Sequence, residues 1–175
     1  MNTLLKTLLL LFALFNFSLI TAQESTTSAE DRIITPEELG ILFGEWTGSL
    51  TYLDYSSNTP YTMRADLRVE KGKNENQLVL FTTYPDEAGA NSKGKIGISK
   101  NGSRLNKKDI QSKKRLESGQ IQITTVYSGK DNRKKAMIRN IYILGTNEFI
   151  IRKDVQFENS TEWMIRNEYS YLKKI

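Results

Sequence analysis

From residue 45 onwards the chain alternates between apolar and polar positions, broken at short intervals by turn residues. The clearest run is 61–71. Tyr61, Met63, Ala65, Leu67 and Val69 share one parity, and Thr62, Arg64, Asp66, Arg68 and Glu70 the other. A period of two is that of a strand with one face in a core. Comparable runs are 45–54, 77–84, 95–99, 120–127, 133–144, 148–157 and 162–172, with a basic, less regular stretch at 105–116. The separators carry turn chemistry: "YSSNTP", "KGKNEN", "PDEAGANSKG", "SGKDN", "GTN" and "ENST". Asn101–Gly102 is the strongest hairpin signal and predicts a type I′ turn, with φ > 0 at both residues.

Short turns joining about nine or ten antiparallel strands describe a meander, and a sheet that large curls until closure removes its edges. The expected fold is therefore all-β, an up-and-down antiparallel β-barrel of about nine or ten strands preceded by a short N-terminal helix. That helix is read from "TPEELGILFG" (35–44). Thr35 is its N-cap, Pro36 takes the first helical position, Glu38 completes a capping box, and Gly40 and Gly44 keep it short. No repeat at a fixed period is visible, which argues against a propeller.

The first residues, "MNTLLKTLLLLFALFNFSLITAQ", have the three parts of an export signal. Lys6 is the positive group, 7–20 is apolar, and Thr21 and Ala22 offer a cleavage point before Gln23. Asn16 and Ser18 interrupt the apolar run, which falls short of the roughly 20 residues of a spanning helix. The expected organisation is a signal peptide (1–22), a flexible polar linker (23–34) and one barrel domain (35–175). Export to the periplasm or the medium follows, with membrane contact only through the signal before cleavage; an uncleaved anchor is the alternative.

Composition narrows the chemistry. With Lys6 removed from 25 basic residues, 24 remain against 20 acidic ones, a mild +4. Cysteine is absent, so disulfides, thiolate catalysis, cysteine-bound metal and a lipid anchor on cysteine are excluded. Histidine is absent too, which excludes a Ser-His-Asp triad, an imidazole base and His-ligated zinc or haem. No catalytic residue, metal or cofactor is assigned. The basic stretch 99–115 has no interleaved aromatics for stacking on single-stranded nucleic acid and reads as a solvated edge, or as a patch for acidic glycans or lipids. No nucleic-acid partner is expected, and a monomer is.

A capped helix, then Gly44-x-Trp46 opening the first strand, then a meander of this length resembles the lipocalin-like (calycin superfamily) barrels. The resemblance implies that Trp46 plugs the closed end, with a basic residue near the end of the last strand packed over it. Lys173 or Lys174 stands where the family usually has Arg. Neither the Thr-Asp-Tyr of lipocalins nor the Arg-x-Tyr of fatty-acid-binding proteins is present, since Arg166 is followed by Asn167, Glu168 and Tyr169. The haem-binding barrels of the superfamily use a His that this chain lacks. The resemblance implies a cavity and leaves its contents open.

With the more apolar faces inward, the first strand lines the interior with Trp46, Gly48, Leu50, Tyr52 and Asp54. The last three strands add Ala136, Ile138, Asn140 and Tyr142; Phe149, Ile151, Lys153 and Val155; and Trp163, Ile165, Asn167, Tyr169 and Tyr171. Asn140, Lys153 and Asn167 are the polar interruptions, and counting from the hairpin turns brings them close together. An inward Lys153 needs an acid, amides or a ligand anion. The expected ligand site is Tyr52, Asp54, Asn140, Tyr142, Lys153, Asn167 and Tyr169, holding a small apolar or amphipathic molecule; Gly44 and Trp46 form the plug. Alternatively Lys153 snorkels to water.

The opposite faces carry Arg139, Arg152 with Asp154, and Arg166 with Glu168, an outward ion-pair ladder. A one-residue register change would turn this set inward as an Arg–carboxylate cluster. The leading expectation is a non-enzymatic carrier or sensor. The alternatives are a barrel enzyme of isomerase, cyclase or lyase type using Tyr, Lys and carboxylate groups, or an envelope protein acting through its outer surface.

Overall fold

The computed structural model describes residues 32–175. The expected signal peptide, and the expected linker up to residue 31, lie outside the described residues. Helix α1 (Pro36–Gly40) carries the expected capping box: Glu38 N donates to Thr35 Oγ1 at 3.3 Å, and Thr35 N donates to Glu38 Oε2 at 3.0 Å. Its Leu39 is fully buried. Ile34, placed by sequence in the linker, is only 1% exposed and donates its N–H to Gly102 O at 3.1 Å. Lys113 holds the same end, with Nζ 2.7 Å from the Glu38 carboxylate and 2.6 Å from Ile33 O.

The strands are β1 (Gly44–Asp54), β2 (Thr59–Arg64), β3 (Asp66–Lys71), β4 (Gln77–Thr83), β5 (Ser92–Gly97) and β6 (Arg104–Leu105). They continue as β7 (Lys108–Arg115), β8 (Ile121–Asp131), β9 (Lys134–Leu144), β10 (Glu148–Phe157) and β11 (Met164–Lys173). They run in the order β5-β4-β3-β1-β11-β10-β9-β8-β7-β6, with β2 also paired to β1. β2 and β3 are two halves of the single strand expected at 61–71. They part at Ala65, whose N–H still reaches Gly48 O at 2.9 Å. Counted together they give a nearly closed antiparallel barrel of 10 strands. The remaining gap is bridged where Ile98 meets Leu105, and Asn106 N and Oδ1 bond Gly97 O and N at 2.8 and 3.0 Å.

The turns differ from expectation in one respect. Type I′ geometry, with both central residues at positive φ, occurs at Asn106 (50°)–Lys107 (66°) and Asn132 (44°)–Arg133 (64°). At Asn101–Gly102 only Gly102 is positive, at 72°. There Gly102 N closes a turn onto Ser99 O at 2.9 Å, and Gly102 follows as the left-handed residue of a bulged hairpin. The cause is the Asn101 side chain, whose Oδ1 accepts from Ser99 Oγ (2.7 Å) and Ser103 Oγ (2.9 Å) and so stays inside the turn. β8 also runs on to Asp131, four residues past the expected end.

Inward positions match the apolar parity along most strands, and each fully buried Leu, Ile or Phe contributes roughly 1.5–3 kcal/mol over leaving it exposed. The exception is the start of β11. The β10–β11 register runs Lys153↔Asn167 and then Asp154↔Ile165, so Arg166 is an extra residue, a β-bulge. Trp163 and Ile165, expected inside, are therefore on the outer wall. Ile165 is 53% exposed, and Trp163 lies under the Arg139 guanidinium, 4.4 Å from its ring centroid.

Candidate functional site

One end of the barrel is sealed. Trp46 is completely buried, its Nε1 donates to Leu42 O at 2.9 Å, and Phe149 meets its ring edge-on at 6.1 Å. Lys173, directly opposite Trp46 in the ladder, holds its Nζ 4.3 Å from the ring centroid and donates to Phe43 O. Burial holds that ammonium below its ordinary pKa, and the indole face offers a cation a favourable contact. Gly44 has φ +113°, and a Cβ there would lie 3.1 Å from Lys173 Nζ, so the basic residue over the plug depends on this glycine. Lys174 instead bonds Glu45 O through its N–H.

Exposure rises from Trp46 towards the middle of three inward files, and falls again beyond it at Val155, Ile138 and Ala136. In β10 it goes from fully buried Phe149 to half-buried Ile151 and Lys153; in β11 from Tyr171 to Tyr169 and Asn167; in β9 from Leu144 and Tyr142 to Asn140. The interior is therefore closed at the Trp46 end, and its half-buried level lies in the middle, at Asn140, Ile151, Lys153 and Asn167.

Across the half-buried level the ladder aligns one continuous polar row. Thr125 lies opposite Asn140, Asn140 opposite Lys153, Lys153 opposite Asn167, and Asn167 opposite Tyr52. At the usual strand spacing this row spans about 20 Å of wall. Two of its polar atoms, Thr125 Oγ1 and Asn167 Oδ1, are buried without a hydrogen-bond partner. Each such atom costs roughly 1–3 kcal/mol when nothing pairs with it. Thr125 escaped the sequence reading, although it interrupts the inward file Ile121, Ile123, Tyr127 just as the two asparagines interrupt theirs.

Below the row, towards the plug, the interior is aromatic. Tyr169 OH shares a 2.8 Å hydrogen bond with Tyr84 OH, and its ring stacks on Tyr171 at 5.8 Å. Tyr142 OH accepts from Asn106 Nδ2 at 3.2 Å. Burial pushes the pKa values of Tyr142, Tyr169 and Tyr171 up, so these phenols stay neutral.

At the end away from Trp46 the bulge has a second consequence. Arg166 turns inward and joins Lys153 on one carboxylate, Asp131. Lys153 Nζ is 2.5 Å from Oδ1, Arg166 Nε 3.5 Å from Oδ2, and Tyr55 OH donates to Oδ2 at 2.5 Å. Arg166 also bonds Leu53 O and covers the Tyr55 ring at 4.4 Å. Thr125, two strands from Lys153 in register, is six residues before Asp131, and a straight β8 would carry Asp131 about 20 Å past it. The β8–β9 hairpin tip therefore bends in over the interior. Burial raises the Asp131 pKa, but the hydrogen bonds from Lys153 and Tyr55 and the two cations outweigh it and hold the carboxyl below its usual range. Burial and the Asp131 carboxylate push the Tyr55 phenol up to about 12.

Of the residues expected at the site, Tyr52, Asn140, Lys153 and Asn167 form adjacent members of the row, and Tyr142 and Tyr169 lie deeper. Asp54 is elsewhere. It accepts from Ser56 N (2.9 Å), Ser56 Oγ (2.8 Å) and Ser57 Oγ (2.9 Å) and fastens the β1–β2 turn, which lowers its pKa. The counter-charge of Lys153 is Asp131, which sequence placed in a turn. On the outer wall Arg139 and Arg152 grip Asp154 at 2.6 and 2.8 Å, leaving its side chain 1% exposed. Among the described residues no three His, Cys, Asp or Glu side chains cluster as a metal site would require.

Fold and site together define a nearly closed antiparallel barrel with one sealed end and a polar row across its inner wall. No protein-family model matches the chain, and no curated protein matches it. Among solved structures it is similar to Rv2717c from M. tuberculosis, at 10% identity over 79% of this chain and 96% of that one, with a TM-score of 0.47. It is also similar to a protein of unknown function from the DUF3598 family of Nostoc punctiforme PCC 73102, at 10% identity over 81% of this chain and 50% of that one, with a TM-score of 0.38. Strand order and register alone carry the fold assignment.

Proposed function

We propose that this chain is an exported, lipocalin-like carrier or sensor whose barrel takes a small apolar or amphipathic molecule, its polar part on the Thr125–Asn140–Lys153–Asn167–Tyr52 row. The observation that carries the reading is the pair of buried, unpartnered atoms on that row, Thr125 Oγ1 and Asn167 Oδ1. Native structures rarely leave such atoms unpaired, and a ligand hydroxyl, amine or water-bridged group reaching them removes the penalty. The partly exposed inward surfaces of Ile151, Leu80, Met63 and Tyr169 supply apolar walls for the rest of the molecule.

Thermal unfolding with a panel of amphipathic compounds tests this. A true ligand raises Tm with concentration, by about 2.7 kcal/mol of stability at a hundredfold excess over Kd. The double variant Thr125→Val/Asn167→Leu should lose that rise while keeping the far-ultraviolet dichroism of the barrel. A broad panel that shifts nothing would refute the reading. Export is tested separately, by mass spectrometry of the secreted or periplasmic fraction, with Gln23 expected at the mature N-terminus.

The barrel-enzyme alternative needs an acid and a base moved towards neutrality. Asp131 is held down and Tyr55 pushed up, so the mouth cluster favours holding a group over transferring protons.

A further inference from the structure

We propose that Lys153 and Arg166 form a headgroup site for a monoanionic ligand, and that Asp131 occupies this site as an internal placeholder which the ligand's own anion displaces. The proposal rests on the interior-ligand reading above and names the chemistry of the polar end.

Charge count comes first. Among the described residues, the ion pairs of Lys153 and Arg166 both go to Asp131, so two half-buried cations share one carboxylate. Asp54, the acid of the expected site, is committed to Ser56 and Ser57. The cluster keeps one unit of positive charge in a partly desolvated site, where an anion is held more strongly than at the surface. A monoanion neutralises that unit as it arrives and, once Asp131 leaves, supplies the single negative charge that Lys153 and Arg166 share.

Geometry comes second. Lys153 pairs with its neighbours on both sides in β10, and Arg166 is held by the bulge and by Leu53 O, so the backbone under both cations is fixed. Asp131 pairs with Lys134 on the last rung of β8, immediately before the two-residue turn at Asn132–Arg133, and is the partner whose backbone is least held. Its contact with Arg166, at 3.5 Å, exceeds the roughly 2.7–2.9 Å of a charge-assisted hydrogen bond. The guanidinium therefore keeps donors that a carboxylate, sulfate or sulfonate arriving from the interior can take bidentately. When such a group engages Lys153 and Arg166, Asp131 is released and the β8–β9 tip loosens. The tip is thus a latch opened by the charge of its own ligand.

The test uses the full chain with a matched pair of probes, dodecanoate and dodecanol, below their aggregation limits, with affinity measured by calorimetry. The wild type should prefer dodecanoate. Asp131→Asn, which keeps size and hydrogen bonding, should tighten dodecanoate about tenfold and leave dodecanol unchanged. Lys153→Gln and Arg166→Gln should each abolish the preference, whereas exposed Lys95→Gln should not. Hydrogen exchange at residues 129–134 should speed up with dodecanoate and not with dodecanol.

Equal binding of the two probes by wild type and Asp131→Asn overturns the headgroup site and leaves the interior-ligand reading standing. Preferential dodecanoate binding with unchanged exchange at the tip means the anion sits beside Asp131, which overturns the placeholder. Binding of neither probe to any variant overturns this proposal together with the reading beneath it. Circular dichroism on each variant separates loss of the site from loss of the fold.

Discussion

Replacing Gly48 by alanine puts a methyl group where β1 and β11 come closest. The new Cβ would lie 2.1 Å from Ser170 O, 2.8 Å from Tyr171 Cδ1 and 2.9 Å from Tyr171 Cα. Unstrained non-bonded contacts sit near 3.5–4.0 Å, so every one of these is a clash. Two of the three atoms are backbone, which cannot rotate away as a side-chain tip can, so the strands must part. The ladder they share runs from Trp46↔Lys173 to Tyr52↔Asn167, tying the plug to the polar row. Overpacking in a core costs about 1–3 kcal/mol, and opening a central ladder places Gly48→Ala at the upper end, about 3 kcal/mol. For a domain of this size that lowers Tm by roughly 10 °C. Urea unfolding followed by circular dichroism measures it, with Gly94→Ala as control. Gly94 also sits in a strand, yet a Cβ there meets nothing within 4 Å, so that variant should stay within about 0.5 kcal/mol of wild type. A Gly48→Ala loss as small as the control's would refute the close approach of β1 and β11, and with it the register on which the polar row depends.

Gly102→Ala should destabilise by about 1–3 kcal/mol in the same assay, since φ is +72° and the Cβ would lie 2.4 Å from Ile34 O. Thr125→Val, which removes an unpartnered buried hydroxyl, should leave the ligand-free protein as stable as wild type or up to about 1 kcal/mol more so, and should weaken ligand binding. Tyr55 predicts an alkaline effect. Its folded pKa is raised from 10.0 to about 12, so its contribution is complete below pH 10 and is lost as pH rises towards 12. That interval corresponds to at most about 2.7 kcal/mol, reduced to about 1 kcal/mol by solvent around the partly exposed ring. Buried Tyr142, Tyr169 and Tyr171 unfold the barrel in the same direction, so the readout is the wild type minus Tyr55→Phe difference, which should vanish at pH 12 and be present at pH 9.

The parts legible in sequence are those set by period two and by local capping. Thr35, Pro36 and Glu38 announce α1, and the parity of Phe149, Ile151, Lys153 and Val155 gives the inward face of β10 before any pairing is known. Counting from the hairpins even brings Asn140, Lys153 and Asn167 to one level, because short turns leave little freedom in register. Two things were hidden. Asp131 lies at the end of a bent strand, and no local rule says that β8 runs past the Ser128–Gly129 turn signal and folds back over the interior. The Arg166 bulge was equally silent, since "MIRNEY" alternates as well with the extra residue as without it. Lys153 and Arg166 stood as rival candidates because strict alternation puts them on opposite faces. The bulge lets both point inward.

That bulge leads to a deletion prediction that runs against the usual behaviour of strands. Removing one residue from a strand normally sends every side chain beyond it to the other face. Around Arg166 the ladder already behaves as if the residue were uncounted, with Asn167 opposite Lys153 and Ile165 opposite Asp154. Deleting Arg166 joins these two pairs into a regular ladder without moving either. Trp163 should stay over Arg139, Asp154 should stay between its two arginines, and the loss should be confined to the mouth contacts with Asp131, Tyr55 and Leu53. The expected cost is about 1–2 kcal/mol, with dichroism and the Trp163 environment retained. Deleting Ser170 in the same strand has no such absorption. It would reverse Tyr171 and Lys173 relative to Trp46, removing the ring stacked on Phe149 and the cation over the plug, and should leave no cooperative unfolding transition. If the Arg166 deletion unfolds the protein as completely as the Ser170 deletion, the extra residue is needed for the pairing of β10 with β11. Its role as a device for aiming one cation into the barrel is then refuted.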